Sequence, residues 1–545
     1  MAARTVTSTV RVLESLPALL RNDNRVSVVF AHDPTSAFSD GVLDLLHDAG
    51  CRVMPWSQLG TITPDLILSA SENIDVPAGD CPVLVLPHGV GFQKRVPDSR
   101  TAQTRLSGAV PDALLRAGRT WIAVSHQDQE QQLLTAHPAL RGRTLLIGDP
   151  CFDELSASLP NSDSYKRALG VPGNQRLIVL SSTWGPTSLL GQDPTLPLRL
   201  LSELPYDEYR VAAIVHPNVW AAHGSWQVRT VLADAVEAGL LLMPTVHDWR
   251  PALVAADAVL GDHGSVTLYG ASLDKPVLLA AFGDDSVPGT AMARLGQVAP
   301  RLSPRRSLRL QVESVTAGHA PGRYTEIAQL AFADTGQALP RLRTALYSLM
   351  ELAEPPSAGP PACVLPPPGE PPGAAVTSWT VESDVDVETD GTGHWAVTVR
   401  RRPAIASGTR TEDAEVFLHL ACDEEEQDHH LTESASVILR RRRASTTVSA
   451  LSWIRYALGR FPSCLLAAVA LGEHSFLVGL RDGRIVEVSV TGSPVDPGLP
   501  AAVVYSGLCG GLPLDTLVTL RIGDARTEDV GLRLRHVVPA GQGRS

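Results

Sequence analysis

Short apolar runs alternate with helix-like stretches twice along the chain, and this double series limits the fold more than any other property. Unbroken apolar runs separated by helical segments are typical of parallel strands that helices cover on both faces. The runs are 26–30, 66–68, 83–86, 122–124 and 145–147 in the first series, and 177–180, 211–215, 241–243, 258–260 and 277–280 in the second. The predicted helices between the runs of the second series are 221–238, 249–256 and 265–272. The sequence therefore predicts two α/β domains in tandem.

The pattern changes after the second series. Its last helical stretch, 339–352, precedes a proline-rich segment from Pro355 to Pro372, whose composition is typical of a linker. Beyond Val376 apolar and polar residues alternate, which indicates antiparallel strands, with a hairpin turn at 481–484. We therefore predict four parts: Rossmann-like domains over 1–160 and 161–353, a linker over 354–375 and a β-rich domain over 376–545.

Composition restricts the partners and the compartment. The formal net charge of −12 argues against a nucleic-acid partner, because binding to a phosphate backbone needs a broad basic surface. The seven cysteines include no CxxC pair, so we expect a reducing cytoplasm and no structural zinc. No apolar segment is long enough to span a bilayer, and residues 1–20 lack the uninterrupted apolar core of a signal peptide. We therefore expect a cytoplasmic protein, whose membrane contact, if it has one, is peripheral and at the inner face.

His88 follows the predicted strand 83–86 directly after Pro87, and Gly89 and Gly91 come next. In open α/β sheets, ligands bind at the carboxyl ends of the strands. A histidine there can act as a general base at neutral pH, and the glycines let a substrate approach the backbone. The other interpretation is a loop histidine bonded to a backbone carbonyl. His88 is therefore a candidate general base.

Two strands of the predicted second domain also end in polar residues. The run 211–215 ends in His216, and the run 177–180 is followed by Ser182, Thr183 and Trp184. The indole of Trp184 could stack on a base or a sugar, or pack in the core. Together these ends predict a polar site at the edge of the second sheet.

A third strand of this domain ends in the sequence Asp262-His263-Gly264-Ser265, which runs into a predicted helix over 265–272. The first turn of a helix has unpaired N–H groups and the positive end of the helix dipole, both of which favour an anion. Asp262 and Ser265 could also be ordinary helix caps, and capping is compatible with anion binding. We expect a phosphate group to lie here.

The order of these motifs resembles the CDP-glycerol glycerophosphotransferases of teichoic-acid synthesis. The segments that carry the resemblance are Pro87-His88-Gly89, Gly148–Leu155, Ser182-Thr183-Trp184, His216-Pro217, Asp262-His263-Gly264-Ser265 and Leu273-Asp274-Lys275-Pro276. The resemblance implies the GT-B arrangement, in which two Rossmann-like domains face each other across a cleft. It leaves the C-terminal domain without an assigned role.

The resemblance also implies roles for the candidate residues. The two catalytic residues would be His88, which would act on the acceptor hydroxyl, and His216, which would lie near the donor phosphates. The implied donor-binding set is Gly89, Ser182, Thr183, Trp184, Asp262, His263, Gly264 and Ser265. The implied scheme uses no metal and no other cofactor.

The sequence thus predicts a transferase that moves a glycerol-phosphate or glycosyl group from a nucleotide-diphosphate donor to a hydroxyl acceptor, in the synthesis of a cell-envelope polymer or glycan. The chain has Pro87 and Val90 beside its His-Gly pair, where the family usually has tryptophan and threonine. It also has His263 and Gly264 where the family usually has tyrosine and serine.

Two alternatives stay open. One is a non-catalytic relative that binds a nucleotide or a partner in a regulatory role; the other is a sugar-nucleotide epimerase, whose candidate cleft carboxylates are Asp149, Asp153 and Asp262.

Overall fold

The computed structural model describes residues 1–97, 104–356, 362–369, 373, 375–387, 394–406, 417–493 and 495–535. The strands form two parallel sheets, one two-stranded antiparallel sheet and one sheet that closes on itself. This confirms the predicted fold class: two Rossmann-like units face a cleft, and a β-rich unit follows them.

The first unit is built on a parallel sheet from the N-terminal part of the chain. Its strands are β1 (Ala2–Ala3), β2 (Phe30–His32), β3 (Val53–Pro55), β4 (Ile67–Ser69), β5 (Val83–Val85), β6 (Arg95–Pro97), β7 (Thr104–Leu106), β8 (Thr120–Val124) and β9 (Thr144–Leu146). Its helices are α1 (Val6–Leu19), α2 (Val42–Asp48), α3 (Asp112–Arg116) and α4 (Gln127–Ala136), with 3₁₀ turns at Trp56–Thr61 and Pro138–Leu140. The sheet order is β3-β2-β1-β4-β5-β8-β9, while β6 and β7 pair separately. The order reverses between β1 and β4, so a ligand is expected at the carboxyl ends of these strands.

The second unit repeats this order as β12-β11-β10-β13-β14, again with parallel pairing. These strands are β10 (Arg176–Ser182), β11 (Tyr209–Val215), β12 (Leu241–Leu242), β13 (Ala258–Gly261) and β14 (Val277–Leu279). The helices from the connection onward are α5 (Pro150–Ser158), α6 (Ser162–Ala168), α7 (Leu189–Gln192), α8 (Leu196–Glu203), α9 (Pro217–Val231), α10 (Ala233–Glu237), α11 (Trp249–Ala255), α12 (Ser265–Ser272), α13 (Ala291–Val298), α14 (Leu308–Ala317), α15 (Thr325–Ala331) and α16 (Ala338–Leu349), with a 3₁₀ turn at Leu159–Asn161. The reversal between β10 and β13 predicts a second ligand-binding edge.

The two parallel units differ from the sequence prediction in three places. The chain begins with β1, which the sequence analysis missed because two residues carry no periodicity, although they pair with both β2 and β4 in the middle of the sheet. The predicted helix 221–238 is interrupted at Gly224, whose φ of 75° and ψ of 152° are not helical. Helix α16 follows the second sheet in the chain but packs with Val12 and Leu16 of α1 on the first sheet.

The C-terminal unit is a nine-stranded sheet that closes on itself in the order β15-β16-β22-β23-β21-β20-β19-β18-β17. Its strands are β15 (Ser378–Val387), β16 (Trp395–Pro403), β17 (Phe417–Asp423), β18 (Val437–Arg440), β19 (Leu466–Ala470), β20 (Ser475–Leu480), β21 (Ile485–Thr491), β22 (Thr516–Ile522) and β23 (Arg526–Arg535). Its helices are α17 (His429–Ser434), α18 (Thr447–Arg460) and α19 (Gly498–Gly510), with a 3₁₀ turn at Ala404–Ala406. The predicted hairpin turn at 481–484 is confirmed by the antiparallel pairing of β20 with β21.

The expectation of antiparallel strands throughout this unit is wrong for three pairs. Strand β16 pairs with β22, β17 with β18, and β18 with β19 in parallel. Helix α19 was also missed, because its residues are apolar on every side and have no helical period to detect. Its Leu499, Val503 and Val504 are buried in the core that the closed sheet surrounds. Val416, the first residue of one predicted strand, lies outside the described residues.

The proline-rich segment is attached to the second unit rather than free of it. Leu365 is buried, its N–H donates to Ser158 Oγ at 2.9 Å, and its carbonyl accepts from Tyr165 Oη at 2.6 Å. A linker composition therefore does not exclude a packed anchor residue. Residues 357–361, 370–372 and 374 of the predicted linker lie outside the described residues. Across the described part of the chain, no helix combines the length and the apolar character that crossing a membrane requires.

The C-terminal unit contains a histidine that we expect to make the fold sensitive to acid. His419 on β17 lies against Tyr505, both ring nitrogens lack a hydrogen-bond partner among the described residues, and burial lowers its pKa to about 3. An unfolded histidine titrates near 6.5, so the unfolded state binds more protons between these values, and stability falls as the pH falls. This residue alone should cost about 1.6 kcal/mol between pH 6.5 and pH 5. Urea midpoints of wild type and His419→Phe at both pH values check this: the variant should lose less stability, and an equal loss would contradict it.

Candidate functional site

The carboxyl ends of the two parallel sheets meet around one cavity of about 480 Å³. Residues of both units line it, so it lies in the cleft between them. Nine of the ten residues singled out from the sequence are in its wall: His88, Gly89, Ser182, Thr183, Trp184, His216, His263, Gly264 and Ser265. The structure therefore brings the strand-end motifs of the two units together at one place.

His88 follows β5 and lines the cavity from the first unit. Its Nδ1 lies 3.3 Å from the carbonyl oxygen of Ala70. Because a carbonyl only accepts, this contact places the proton on Nδ1 and leaves Nε2 with its lone pair. No hydrogen-bond partner of Nε2 is found among the described residues. His88 is thus held in the tautomer that a general base requires.

Glu72 supports this histidine, and the sequence analysis missed it. Its Oε2 lies 3.9 Å from His88 Nδ1, and its Oε1 accepts from Arg105 Nη2 at 2.8 Å. Burial disfavours the charged carboxylate, but His88, when it is protonated, and Arg105 outweigh it and hold the pKa of Glu72 below its ordinary value. A buried, ionised carboxylate at this position would stabilise an imidazolium on His88. Glu72 follows β4 by three residues, so its strand-end position was the signal that could have found it.

His216 lies across the cavity at the start of α9. Its Nδ1 accepts from the N–H of Asn218 at 3.1 Å, so the proton is on Nε2. Burial, together with the positive charge of Lys94 and that of His88 when it is protonated, lowers the pKa of His216 to about 3. The residue is therefore neutral near pH 7 and can donate one hydrogen bond from Nε2.

Asp262 is buried behind the cavity wall and does not line it. Its Oδ2 accepts from the N–H groups of Thr183 and Leu189 at 2.8 and 2.9 Å, and its Oδ1 accepts from the N–H of Gly264 at 2.9 Å. These bonds tie the loop after β10 to the loop after β13. The structure thus places Asp262 where it supports the cavity wall of the second unit from behind.

His263 lines the cavity, but its ring nitrogens are engaged within the second unit. Its Nδ1 accepts from the N–H of Gly283 at 3.2 Å, and its Nε2 lies 3.0 Å from Asp285 Oδ1. This arrangement fixes the 283–285 loop against the start of α12. Both ring nitrogens of His263 therefore have partners within the second unit, although the residue lines the cavity.

The two units touch at Gly89 and Ser265. The Ser265 hydroxyl accepts from the N–H of Val90 at 3.2 Å, and a Cβ on Gly89 would lie 2.8 Å from the same oxygen. Glycine at position 89 is therefore needed for this close approach. Ser265 is the first residue of α12, and both Ser265 and Val266 line the cavity, so the helix begins at the cavity wall.

Trp184 forms part of the cavity wall together with an aromatic residue of the first unit. Its ring centroid lies 5.6 Å from that of Phe38, with the planes tilted by 59°. Both residues line the cavity, so the pair is an apolar bridge across the cleft beside the polar site. Such a surface can hold a planar base or a sugar face.

The remaining candidate carboxylates, Asp149 and Asp153, accept hydrogen bonds from residues of other segments at the connection between the units. Asp149 accepts from Arg11 Nη2 at 2.6 Å and from Tyr269 Oη at 2.7 Å, and it caps α5. Asp153 accepts from the N–H groups of residues 336 and 338 at 2.7 and 2.9 Å. Neither residue lines the cavity. The Gly148–Leu155 motif therefore lies at the connection between the units.

Comparisons with known proteins find no matching protein-family profile and no matching curated protein. Among solved structures, a variant of the wall teichoic acid polymerase TagF with CDPG is 12% identical and covers 64% of this chain and 88% of its own, with a TM-score of 0.46. A glycosyltransferase from Rickettsia africae ESF-5 is 10% identical, with coverages of 64% and 97% and a TM-score of 0.36. The UDP-GlcNAc 2-epimerase from Neisseria meningitidis bound to UDP-GlcNAc is 13% identical, with coverages of 64% and 98% and a TM-score of 0.40. The structural neighbours of the chain thus include a polymerase of the kind that the sequence motifs resemble.

Proposed function

We propose that the chain is a transferase that moves a glycerol-phosphate or glycosyl group from a nucleotide-diphosphate donor to a hydroxyl acceptor. The observation that carries this proposal is the pairing of His88, with an unprotonated Nε2, and His216, with a protonated Nε2, in one cavity between two units. A base for the acceptor and a hydrogen-bond donor for the leaving group are the two functions that such a transfer needs.

In this mechanism His88 Nε2 takes the proton of the acceptor hydroxyl as the oxygen attacks. The proton and the charge that it brings stay on the imidazole, where the carboxylate of Glu72 near Nδ1 stabilises them. The carbonyl of Ala70 keeps the ring in the productive orientation. General-base assistance of this kind typically contributes about 10²–10⁴-fold to the rate.

On the donor side, negative charge develops on the leaving nucleotide. The first-turn N–H groups of α12 and the Nε2–H of His216 are fixed in place before the reaction, so no reorganisation is needed when the charge appears. Asp262 contributes by holding the loops that carry Thr183 and Gly264. The aromatic pair of Trp184 and Phe38 would hold the base or the sugar.

The product identifies which group is transferred. If the acceptor oxygen attacks the phosphorus next to glycerol, the bond to the bridging oxygen breaks and a nucleoside monophosphate leaves. If it attacks a sugar carbon, the carbon–oxygen bond to phosphate breaks and a nucleoside diphosphate leaves. In both cases the acceptor proton ends on His88, so the same residues serve either reaction.

The epimerase alternative gains no support from the carboxylates first considered for it. Asp149, Asp153 and Asp262 lie outside the cavity wall and accept hydrogen bonds from Arg11, Tyr269 or backbone amides. A carboxylate that takes a proton from a sugar carbon has to reach the substrate. The transferase proposal needs no such group.

We expect the protein to release a nucleotide from at least one activated donor when a hydroxyl acceptor is present. The test is a panel of CDP- and UDP-linked donors, incubated with the full chain and polyol or sugar acceptors, with nucleotide release followed by chromatography. A monophosphate product indicates phosphoglycerol transfer and a diphosphate product indicates glycosyl transfer.

The matched variant for this test is the double replacement Ser265→Ala with His216→Ala. It should weaken binding of CDP or UDP about 10²-fold or more, because two charge-assisted hydrogen bonds of roughly 1.5–3 kcal/mol each are lost. Binding as tight as in the wild type would defeat the assignment of the donor side. If the wild type binds donors but releases no nucleotide with any acceptor, the non-catalytic alternative is the better description.

A further inference from the structure

Lys94 is a cavity residue whose function the mechanism above leaves unassigned. It belongs to the loop after β5 in the first unit, and it is one of three lysines in the chain, with Lys166 and Lys275. Its loop is fixed against the second unit, because the N–H of Arg95 donates to the Asp285 carbonyl at 2.7 Å and the N–H of Val287 donates to the Gln93 carbonyl at 2.9 Å. The side chain is therefore held in position across the cleft.

The ammonium group of Lys94 is only partly satisfied. Its one hydrogen bond among the described residues goes to Thr183 Oγ1 of the second unit, at 3.2 Å. An ammonium has three donors, so two remain free. Among the described residues, no carboxylate oxygen lies within 4.0 Å of the Lys94 ammonium. The two nearby carboxylates have other partners: Asp262 accepts from backbone N–H groups, and Asp285 pairs with His263. Lys94 is thus a cation at the cavity wall that makes no close ion pair with any residue the structure describes.

Such an arrangement is costly in an empty cavity. Burial lowers the pKa of Lys94, and the more distant charges of Asp262 and Asp285 oppose this only in part. An anionic group in the cavity would supply the missing partner and the remaining hydrogen bonds. The neighbouring Nε2–H of His216 and the start of α12 are also suited to an anion. These three features enclose the same space from both units.

We propose that Lys94 binds a phosphate oxygen of the donor's diphosphate and so completes, from the first unit, the anion site that α12 and His216 begin in the second. This assignment rests on the proposed function. Lys94 and α12 belong to different units, so a bound diphosphate contacts both units at once. The ligand thereby stabilises the pairing of the 93–95 loop with the 285–287 segment. Lys94 therefore ties donor binding to a closed cleft.

The test compares binding of CDP and UDP with binding of the uncharged nucleosides cytidine and uridine, by calorimetry on the full chain. Lys94→Met keeps the length of the side chain and removes the charge. We expect diphosphate affinity to fall about 10- to 100-fold, the range of a lost charged hydrogen bond, and nucleoside affinity to stay within about twofold. The dependence of diphosphate binding on salt should also become weaker, since one cation–phosphate contact is lost.

Lys275→Met is the matched control. Lys275 is also largely buried, but its ammonium donates to the carbonyl of Val254 at 2.8 Å, and it does not line the cavity. Its replacement should leave diphosphate affinity unchanged. If the wild type binds a diphosphate and Lys94→Met binds it equally well, the assignment of Lys94 is wrong while the proposed function stands. If the wild type binds none of these diphosphates, the proposed function fails and this assignment fails with it.

A second measurement needs no variant and covers the case in which Lys94→Met does not fold. The three lysines of the wild type can be acetylated with a limiting reagent and quantified by mass spectrometry with and without CDP or UDP. We expect the diphosphate to lower labelling of Lys94 at least about threefold relative to Lys166 and Lys275, because the bound phosphate occupies its donors. Equal labelling of Lys94 under ligand concentrations that saturate the wild type would overturn the assignment.

Discussion

Replacing His88 with asparagine is expected to lower kcat by about 10²–10⁴-fold and to leave donor affinity nearly unchanged. Asparagine can still donate its amide N–H to the Ala70 carbonyl, which His88 Nδ1 contacts at 3.3 Å, so the loop should keep its shape. It has no basic nitrogen to replace Nε2, so under the proposed function the acceptor hydroxyl would lose its base. Turnover assays with a donor identified from the panel, together with calorimetry of donor binding, measure the two effects separately.

His126 provides the matched control for this variant. It also follows a strand of the first sheet, β8, but its Nδ1 caps α4 by accepting from the N–H of Asp128 at 3.2 Å, and it does not line the cavity. Asparagine is a good cap residue, so His126→Asn should change neither kcat nor stability appreciably. A His88→Asn variant with wild-type kcat would exclude His88 as the base. A variant that loses donor binding as well as turnover would place His88 on the donor rather than on the acceptor.

The positions of the main site residues could be predicted because a parallel sheet puts the ends of its strands on one edge. His88, His216 and the Asp262–Ser265 sequence each follow an apolar run, and these runs became β5, β11 and β13. Helix α12 has the predicted bounds, 265–272, because a polar turn precedes it and Leu273-Asp274 ends it. Strand ends and helix starts are local properties, so the sequence alone specifies them.

The contacts across the cleft could not be predicted, because they join segments that are far apart in the sequence. Glu72 lies near His88 only because β4 and β5 are neighbours, and Lys94 reaches Thr183 only because the two units close on each other. The burial that lowers the pKa of His216 likewise depends on residues of both units. The residue types were visible in the sequence, but their partners were a consequence of tertiary structure.

The C-terminal unit was the least predictable part for a related reason. Its alternating runs correctly indicated strands, but alternation is the same for parallel and antiparallel partners, so the parallel pairs β16–β22, β17–β18 and β18–β19 had no signal. In the structure Arg401 is 2% exposed and joins this unit to the second one.

Replacing Arg401 with methionine is expected to destabilise the protein by about 3–5 kcal/mol, because it leaves Asp207 without its cation and Asp496 with Arg441 alone. Arg401 Nε and Nη2 donate to the two oxygens of Asp207 at 2.9 and 2.7 Å, Nη1 donates to Asp496, and the guanidinium lies 5.3 Å from the centroid of the Trp379 ring. Burial raises the pKa of Asp496, but Arg401 and Arg441 outweigh it and hold the pKa at about 2. Urea unfolding followed by tryptophan fluorescence measures the loss.

Two further variants separate the buried ion pair from a general effect on packing. Arg441→Met also removes a cation from the Trp379 ring and from Asp496. The Arg441 side chain is 35% exposed, so the loss in free energy of unfolding should stay below about 1 kcal/mol. The double variant Arg401→Met with Asp207→Leu removes the stranded carboxylate and leaves Asp496 paired with Arg441 at 2.8 Å, so it should recover part of the lost stability. If Arg401→Met unfolds at the wild-type urea concentration, the buried pair does not hold the units together. If the double variant is less stable than Arg401→Met, lost packing rather than an unpaired charge is the cause.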